Sequence, residues 1–257
     1  LKDTKKANLE AIDEEIKRAK EISNNNGMVA VNVMVALSDY EQHVRQAVKS
    51  GVDAIISGAG LPLKLPKYVD EKTAIAPIVS SGKAARLILN KWKRQYDRTA
   101  DFIVIEGYKA GGHLGFKKEE LLENTCASLK DILKDVKEVV KGFEELFNHA
   151  IPVFVAGGIY TNEDIKEMLE AGADGVQMGT RFIGTYECDA SMEYKNYFIN
   201  GKKEDIKIVQ SPVGMPGRAF MTPFMEKTHP IKRCFRCIAS CDMKSIPYCI
   251  TPVSYTH

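Results

Sequence analysis

The residues best suited to chemistry lie in one segment, 101–115, where a short apolar run leads into a glycine-rich loop. The run ends in the acid Glu106, and the loop after it contains four glycines and one histidine, His113. A histidine titrates near neutral pH and can therefore accept or donate a proton during a reaction. In an α/β barrel, the loops that follow the carboxyl ends of the strands form the active site. The segment indicates a proton-transfer site, and the alternative is a surface turn with a solvated histidine.

Two further glycine loops follow consecutive apolar runs. Gly157 and Gly158 lie in VAGGI (155–159), and Gly179 with Thr180 lies in QMGTRF (177–182). Backbone N–H groups at the start of a helix bind phosphate through their free donors and the positive end of the helix dipole. Two such loops on neighbouring strands predict a phosphate site. The alternative is that Gly157 and Gly158 only permit tight turns.

The elements that must position these loops alternate along the chain. Apolar residues at helical and strand spacing predict helices over 4–23, 38–49, 83–96, 118–149 and 161–171, and strands over 28–37, 53–60, 74–82, 101–107, 151–159 and 173–182. Such alternation is typical of a parallel sheet with right-handed crossovers. Six strand–helix units are short of the eight in a closed barrel, and a doubly wound open sheet would also accommodate them. After residue 183 we expect a helix over 189–206 and a Pro/Gly-rich loop over 211–220 that covers the site.

Composition narrows the class of protein. The 257 residues fit one large α/β domain or two small ones, and 44% hydrophobic residues suffice for a core. A formal charge of +2 gives no electrostatic reason to expect nucleic acid or a membrane as partner. The sequence has neither a signal-peptide pattern nor an apolar stretch of the ~20 residues that span a bilayer. We therefore expect a cytoplasmic protein with reduced cysteines.

The C-terminal part holds a cysteine cluster and an isolated arginine. The cluster, with spacing C-x₂-C-x₃-C-x₇-C, consists of Cys234, Cys237, Cys241 and Cys249. Four thiolates at this spacing suit zinc or an iron–sulfur cluster, but reduced thiols in a lid are the favoured interpretation, so no metal site is assigned. Arg218 suits an anionic substrate, a dinucleotide phosphate or a plain loop salt bridge.

Three motifs together resemble a known family. EGYKAGGHLG, IPVFVAGGI and GADGVQMGTRF, in this order and spacing, are similar to the motifs of the nitronate monooxygenases (formerly 2-nitropropane dioxygenases) and of their sister group, the flavin-type enoyl-ACP reductases. The likeness extends from about residue 28 to residue 220. It implies an FMN-containing (β/α)₈ TIM barrel.

The resemblance also implies a division of the chain. If the last two glycine loops follow the seventh and eighth strands, the barrel lacks its first two strands here, and the family's Gly-Gly-Met flavin loop has no match. We therefore expect an N-terminally truncated barrel over 1–182 with weakened FMN affinity. A helical and lid extension of the same domain would cover 183–251, and a non-native tail 252–257.

By matching motif, the resemblance assigns His113 as the active-site histidine. The residues that it implies for FMN binding are Asn32, Ser81, Glu106, Gly111, Gly112, Gly157, Gly158, Gln177, Gly179 and Thr180. Of these, Gly157 and Gly158 with Gly179 and Thr180 would hold the phosphate.

The implied activity is oxidation of alkyl nitronates with O₂. The alternative is an enoyl-ACP reductase that uses FMN and NAD(P)H, with an enoyl thioester as substrate. A flavin-free barrel that binds another phosphate ligand stays open as a different class. The partner is in each case a small molecule, and a homodimer is compatible with the sequence.

Overall fold

The computed structural model describes residues 4–24, 26–211 and 214–227. The cysteine cluster and the predicted tail therefore lie outside the described residues. The helices are α1 (Thr4–Ile22), α2 (Tyr40–Lys49), α3 (Gly82–Tyr96), α4 (Lys118–Glu123), α5 (Leu129–Phe147), α6 (Asn162–Glu170), α7 (Thr180–Ile183), α8 (Met192–Asn200) and α9 (Pro223–Lys227). The strands are β1 (Ala30–Met34), β2 (Ala54–Gly58), β3 (Ala74–Val79), β4 (Ile103–Glu106), β5 (Gly112–His113), β6 (Val153–Ala156), β7 (Gly175–Gln177), β8 (Ile206–Gln210) and β9 (Pro216–Phe220).

Six of these strands form the parallel sheet that the sequence predicted. Their order is β1-β2-β3-β4-β6-β7, and helices follow them along the chain. Ala30 pairs with Ala54 and Ala54 with Ala74, so the first three strands run in register from their amino ends. The α/β fold is confirmed, and the described residues contain six of the eight strands of a (β/α)₈ barrel. No helix in the described part of the chain is long and apolar enough to cross a bilayer.

The chain divides into two compact units that interleave in sequence. The first comprises Leu1–Val104 and Asp135–Pro152, and the second comprises Ile105–Lys134 and Val153–His257. This division differs from the boundary at residue 182 that the sequence suggested, which stays a prediction.

The first unit is built around a tightly packed apolar core. Ile55, Ile75, Ile88 and Trp92 have no solvent-accessible surface, as expected of strands and a helix that pack face to face. The Trp92 indole N–H donates to the Pro62 carbonyl at 2.9 Å, which satisfies the one polar atom of that side chain. This packing fixes β2, β3 and α3 together.

The second unit contains a small antiparallel sheet that the sequence patterns did not predict. Its strand order is β5-β9-β8, with Lys207 opposite Ala219 and His113 opposite Gly217. The expectation of a loop over 211–220 was therefore wrong for 216–220, which form a strand. The helix expected over 189–206 is limited to α8, because Ile206 already begins β8.

The long helix predicted over 118–149 is also interrupted. It consists of α4 and α5, since Asn124 adopts a left-handed conformation with φ 54° and ends α4. Asparagine tolerates this conformation better than most residues. The Ser128 hydroxyl then accepts a hydrogen bond from the Asp131 N–H at 3.2 Å and begins α5.

Candidate active site

The predicted site residues of the second unit leave the sheet from three neighbouring strands. Gly107, directly after β4, donates its N–H to the Ala156 carbonyl at the end of β6, at 2.9 Å. Ala156 in turn is in register with Gln177, the last residue of β7. The carboxyl ends of parallel strands meet at one edge of a sheet, so the three motif loops start side by side. The expectation that the two phosphate-type loops follow adjacent strands is confirmed.

Gly157 and Gly158 are required by the backbone itself. Their φ angles are 101° and 87°, values that residues with a Cβ rarely adopt. A Cβ on Gly157 would lie 2.9 Å from the Gly107 carbonyl oxygen, and one on Gly158 would lie 2.8 Å from the Lys109 Cβ. The tight-turn interpretation is thus correct for these two glycines. It is compatible with phosphate binding, because Gly158 is exposed and has no side chain to cover its backbone.

A cleft of about 200 Å³ lies beside these glycines. Its lining includes Gly107–Lys109, Ser128–Lys130 and Gly157–Ile159 together with acidic residues of α6. The Lys130 ammonium pairs with the Glu167 carboxylate at 2.8 Å. The cleft wall therefore combines a pair of charged side chains with glycine backbone.

The start of α6 follows the predicted capping box. The Thr161 hydroxyl accepts from the Asp164 N–H at 3.2 Å, and the Asp164 carboxylate accepts from the Thr161 N–H at 2.8 Å. Hydrogen bonds from the backbone N–H groups of Thr161 and Tyr160 lower the pKa of Asp164. This carboxylate occupies the N–H groups of Tyr160 and Thr161, directly before α6, so these two donors are not available to an anion.

His113 lies in a short strand rather than in an irregular loop. β5 places it opposite Gly217 of β9, and Leu114, the next residue, donates its N–H to the Pro216 carbonyl at 2.8 Å. The imidazole is half-buried. Ala110, Leu114 and Leu121 form a buried apolar cluster that supports this segment. The histidine is thus held on a defined backbone.

Arg218 contacts the same loop in a way that the sequence did not predict. Its Nε donates to the Ala110 carbonyl at 3.1 Å and its Nη2 to the Tyr108 carbonyl at 2.8 Å. The structure therefore places this guanidinium on backbone oxygens rather than in the loop salt bridge that the sequence allowed. The alternation of apolar and polar residues in IKIVQ (206–210), followed by a turn at Gly214, was the signal for this hairpin.

Glu106 is a largely buried carboxyl group at the end of β4. Burial raises its pKa to about 7, because a charged carboxylate loses solvation there. In the described part of the chain no hydrogen bond or ion pair to its carboxyl group compensates for that loss. Glu106 can therefore hold or release a proton close to neutral pH.

Two other predicted glycines have space in front of them. A Cβ on Gly111 or Gly179 would meet no described atom within 4 Å, and neither residue has a left-handed backbone. Gly179 precedes α7 without a side-chain cap, and Thr180 and Gln177 beside it are exposed. Neither conformation nor packing accounts for these glycines. Open backbone of this kind fits the approach of a flat or phosphorylated cofactor.

Asn32 and Ser81 belong to the first unit. Asn32 lies in β1 opposite Ile56 and is exposed. The Ser81 hydroxyl accepts from the Ala84 N–H at 3.2 Å and caps α3, so it has a structural role of its own. Their role in flavin binding stays a prediction from the resemblance.

Metal binding finds no support in the described residues. Among them, no group of histidine, cysteine and acidic side chains is arranged to hold an ion. Cys126 and Cys188 are free thiols, and burial raises the pKa of Cys126, which keeps it protonated.

The parallel sheet, the glycine loops at its carboxyl edge and His113 beside them have the arrangement of an α/β-barrel site. Comparison with known sequences makes the assignment specific. The profile of the nitronate monooxygenase family matches residues 4–246, and the chain belongs to that family. The family is one of flavin enzymes.

Individual relatives agree with this assignment. A putative nitronate monooxygenase of Saccharomyces cerevisiae is 35% identical over 128 residues, which are 49% of this chain and 31% of the yeast protein. A probable nitronate monooxygenase of Staphylococcus saprophyticus is 25% identical over 194 residues, 76% of this chain and 51% of the relative. The chain thus spans about half the length of these relatives, or less.

Solved structures with the same fold include two oxidoreductases. FabK from Thermotoga maritima, an enoyl-ACP reductase, superposes with a TM-score of 0.65 at 26% identity, over 84% of this chain and 62% of FabK. A nitroalkane oxidase from Streptomyces ansochromogenes gives a TM-score of 0.57 at 21% identity, over 86% of this chain and 59% of the oxidase. The second similarity supports the fold alone.

Proposed function

We propose that this chain forms the catalytic part of an FMN-dependent oxidoreductase that oxidises alkyl nitronates with O₂ to a carbonyl compound and nitrite. The observation that carries the proposal is the backbone-anchored His113, next to glycine loops that leave adjacent strands, in a member of the nitronate monooxygenase family. A small molecule is the substrate. A cytoplasmic location and a homodimer stay predictions.

The flavin would bind to the glycine loops of the second unit. The backbone of Gly157, Gly158 and Gly179, with the Thr180 hydroxyl, would hold the phosphate, and Gly111 and Gly112 would allow the ring system to approach the backbone. Gln177 at the end of β7 would supply an amide, and Glu106 at the end of β4 a carboxyl group that can hold a proton. When bound, FMN supplies the redox chemistry that amino-acid side chains lack.

His113 would act on the substrate proton. A neutral nitroalkane must lose the proton on its α-carbon before it becomes a nitronate, and an imidazole with a pKa near the working pH is suited to remove it. A nitronate supplied as the anion needs no such step. Turnover of the neutral nitroalkane should therefore depend on His113, whereas turnover of the nitronate anion should not.

Reduction of an enoyl thioester is the second candidate. It is favoured by the similarity to FabK, whose identity and TM-score exceed those of the nitroalkane oxidase. The two activities differ in their co-substrates, since nitronate oxidation consumes O₂ and enoyl reduction consumes NADH or NADPH.

Two parallel assays test the proposal on the chain supplied with FMN. One follows O₂ uptake with an alkyl nitronate, and the other follows NAD(P)H absorbance with an enoyl thioester. We expect activity in the first assay. Activity confined to the second would replace the proposal with the reductase, and failure to bind FMN would contradict both.

A further inference from the structure

We propose that Arg218 is a positioning residue for His113, acting through the backbone of the loop 108–114. The inference rests on the proposed function only in that His113 is taken to be the reacting side chain. Arg218 would contact neither substrate nor flavin. It would affect the reaction only by fixing the position of the backbone that carries His113.

The first argument is the pair of hydrogen bonds. Tyr108 and Ala110 lie between β4 and β5, so their carbonyl groups are outside the ladder of the parallel sheet. Carbonyl groups withdrawn from water require donors, and one guanidinium supplies two from a rigid plane. The distances of 2.8 Å to Tyr108 and 3.1 Å to Ala110 are those of well-formed hydrogen bonds.

The second argument is that β9 holds the loop on both sides of the histidine. Arg218 binds the segment before His113, and the Pro216 carbonyl accepts from the Leu114 N–H after it. Between these points, Gly217 faces His113 across the strand pair. A Cβ on Gly217 would lie 3.2 Å from the Gly112 carbonyl oxygen, so the strands approach closely because this residue is glycine.

The third argument is that β9 is itself anchored. It pairs with β8 from Ile206–Phe220 through Gln210–Pro216, and the Phe220 ring packs edge-on against Phe198 of α8 at 5.1 Å. The pair of strands β8 and β9 would thus fix the backbone of the loop 108–114.

Hydrogen–deuterium exchange of the chain tests the anchor without reference to activity. In Arg218→Gln, we expect amides of 107–115 to exchange at least about tenfold faster, as local opening becomes easier. Arg218→Lys should give an intermediate rate, because an ammonium is a poor match for two separated acceptors. The matched control is Lys207→Gln, which removes an exposed cation from β8. Unchanged exchange in Arg218→Gln would overturn the proposal, whatever the activity.

Kinetics then tests whether the anchor matters to the reaction. For the activity that the wild type has, Arg218→Gln should lower kcat by about 10- to 100-fold with little change in KM, as expected when a reacting group is misplaced by about 1 Å. Gly217→Ala, which presses on the Gly112 carbonyl from the same strand, should lower kcat in the same way while retaining Arg218. Faster exchange with unchanged kcat would overturn the positioning role. A wild type that oxidises no nitronate and reduces no enoyl thioester, but loses protection in Arg218→Gln, would overturn the proposed function and leave the anchor supported.

Discussion

The Gly107 carbonyl oxygen lies 2.9 Å from the position that a Cβ on Gly157 would occupy. The two glycines directly follow β4 and β6, and their contact allows the His113 loop and the first phosphate-type loop to leave the sheet in close apposition. A methyl group at residue 157 would separate them.

Gly157→Ala is therefore expected to lower the free energy of unfolding. Strain at a φ of 101° costs about 1–3 kcal/mol, and the clash with backbone atoms adds about 1–3 kcal/mol. Gly172→Ala is the matched control, because Gly172 has a φ of 100° and no described atom within 4 Å of its would-be Cβ. Urea denaturation of both variants measures the difference. If both variants lose the same free energy of unfolding, the contact with Gly107 does not contribute to the cost of Gly157→Ala.

Glu106→Gln should change how stability depends on pH. The pKa of the wild-type carboxyl is about 7 in the folded state and 4.5, its ordinary value, in the unfolded state, so between these values the folded state binds more protons. Stability then falls as the pH rises through that window, by up to about 3 kcal/mol. The amide does not titrate and should remove this loss, so the advantage of the variant should grow from pH 4.5 to pH 8.

Denaturation curves at several pH values provide the measurement for Glu106. Glu187→Gln, at an exposed carboxylate, is the control and should show no such trend. A stability difference between wild type and Glu106→Gln that stays constant with pH would show that the carboxyl is solvated.

Gly179→Ala should weaken FMN binding without harming the fold. The backbone angles of Gly179, φ −120° and ψ −59°, are open to alanine, and its methyl group would point into space free of described atoms. If that space holds the flavin phosphate, a clash of about 1.4 kcal/mol would reduce the affinity about tenfold.

Flavin fluorescence titration gives the affinity of each glycine variant. Gly142→Ala serves as control, since Gly142 also has open space before it but lies within α5, away from the glycine loops. It should bind FMN normally and gain up to about 1 kcal/mol of stability from helix propensity. If Gly179→Ala binds FMN with unaltered affinity, the flavin phosphate does not lie at this loop.

Much of the fold was predictable because its signals are local. Apolar runs, glycine turns and the Thr161–Asp164 capping box each involve neighbouring residues, and they gave the six parallel strands and the start of α6. The break at Asn124 went unseen because the flanking residues keep a helical pattern. The sheet β5-β9-β8 was missed for a different reason. β5 has two residues, and its pairing with β9 joins positions about a hundred residues apart.

The candidate site likewise has features that the sequence reveals and features that depend on tertiary contacts. His113 and the glycine loops stand out by composition, and the structure brings their strand ends together. The contact of Arg218 with Tyr108 is invisible in sequence, because its acceptor is a backbone carbonyl 110 residues away and any residue type could provide it. The raised pKa of Glu106 likewise depends on tertiary burial, since the same residue in an exposed strand end would titrate normally.

The most direct test of the account compares two substrates on His113→Asn supplied with FMN. One is a neutral nitroalkane and the other is the same compound supplied as its nitronate. We predict that kcat/KM for the nitroalkane falls about 100-fold or more, as expected on loss of a general base, whereas the value for the nitronate falls less than about tenfold. Equal loss with both substrates, or no loss with the nitroalkane, would contradict the assignment of His113 as the proton-accepting group.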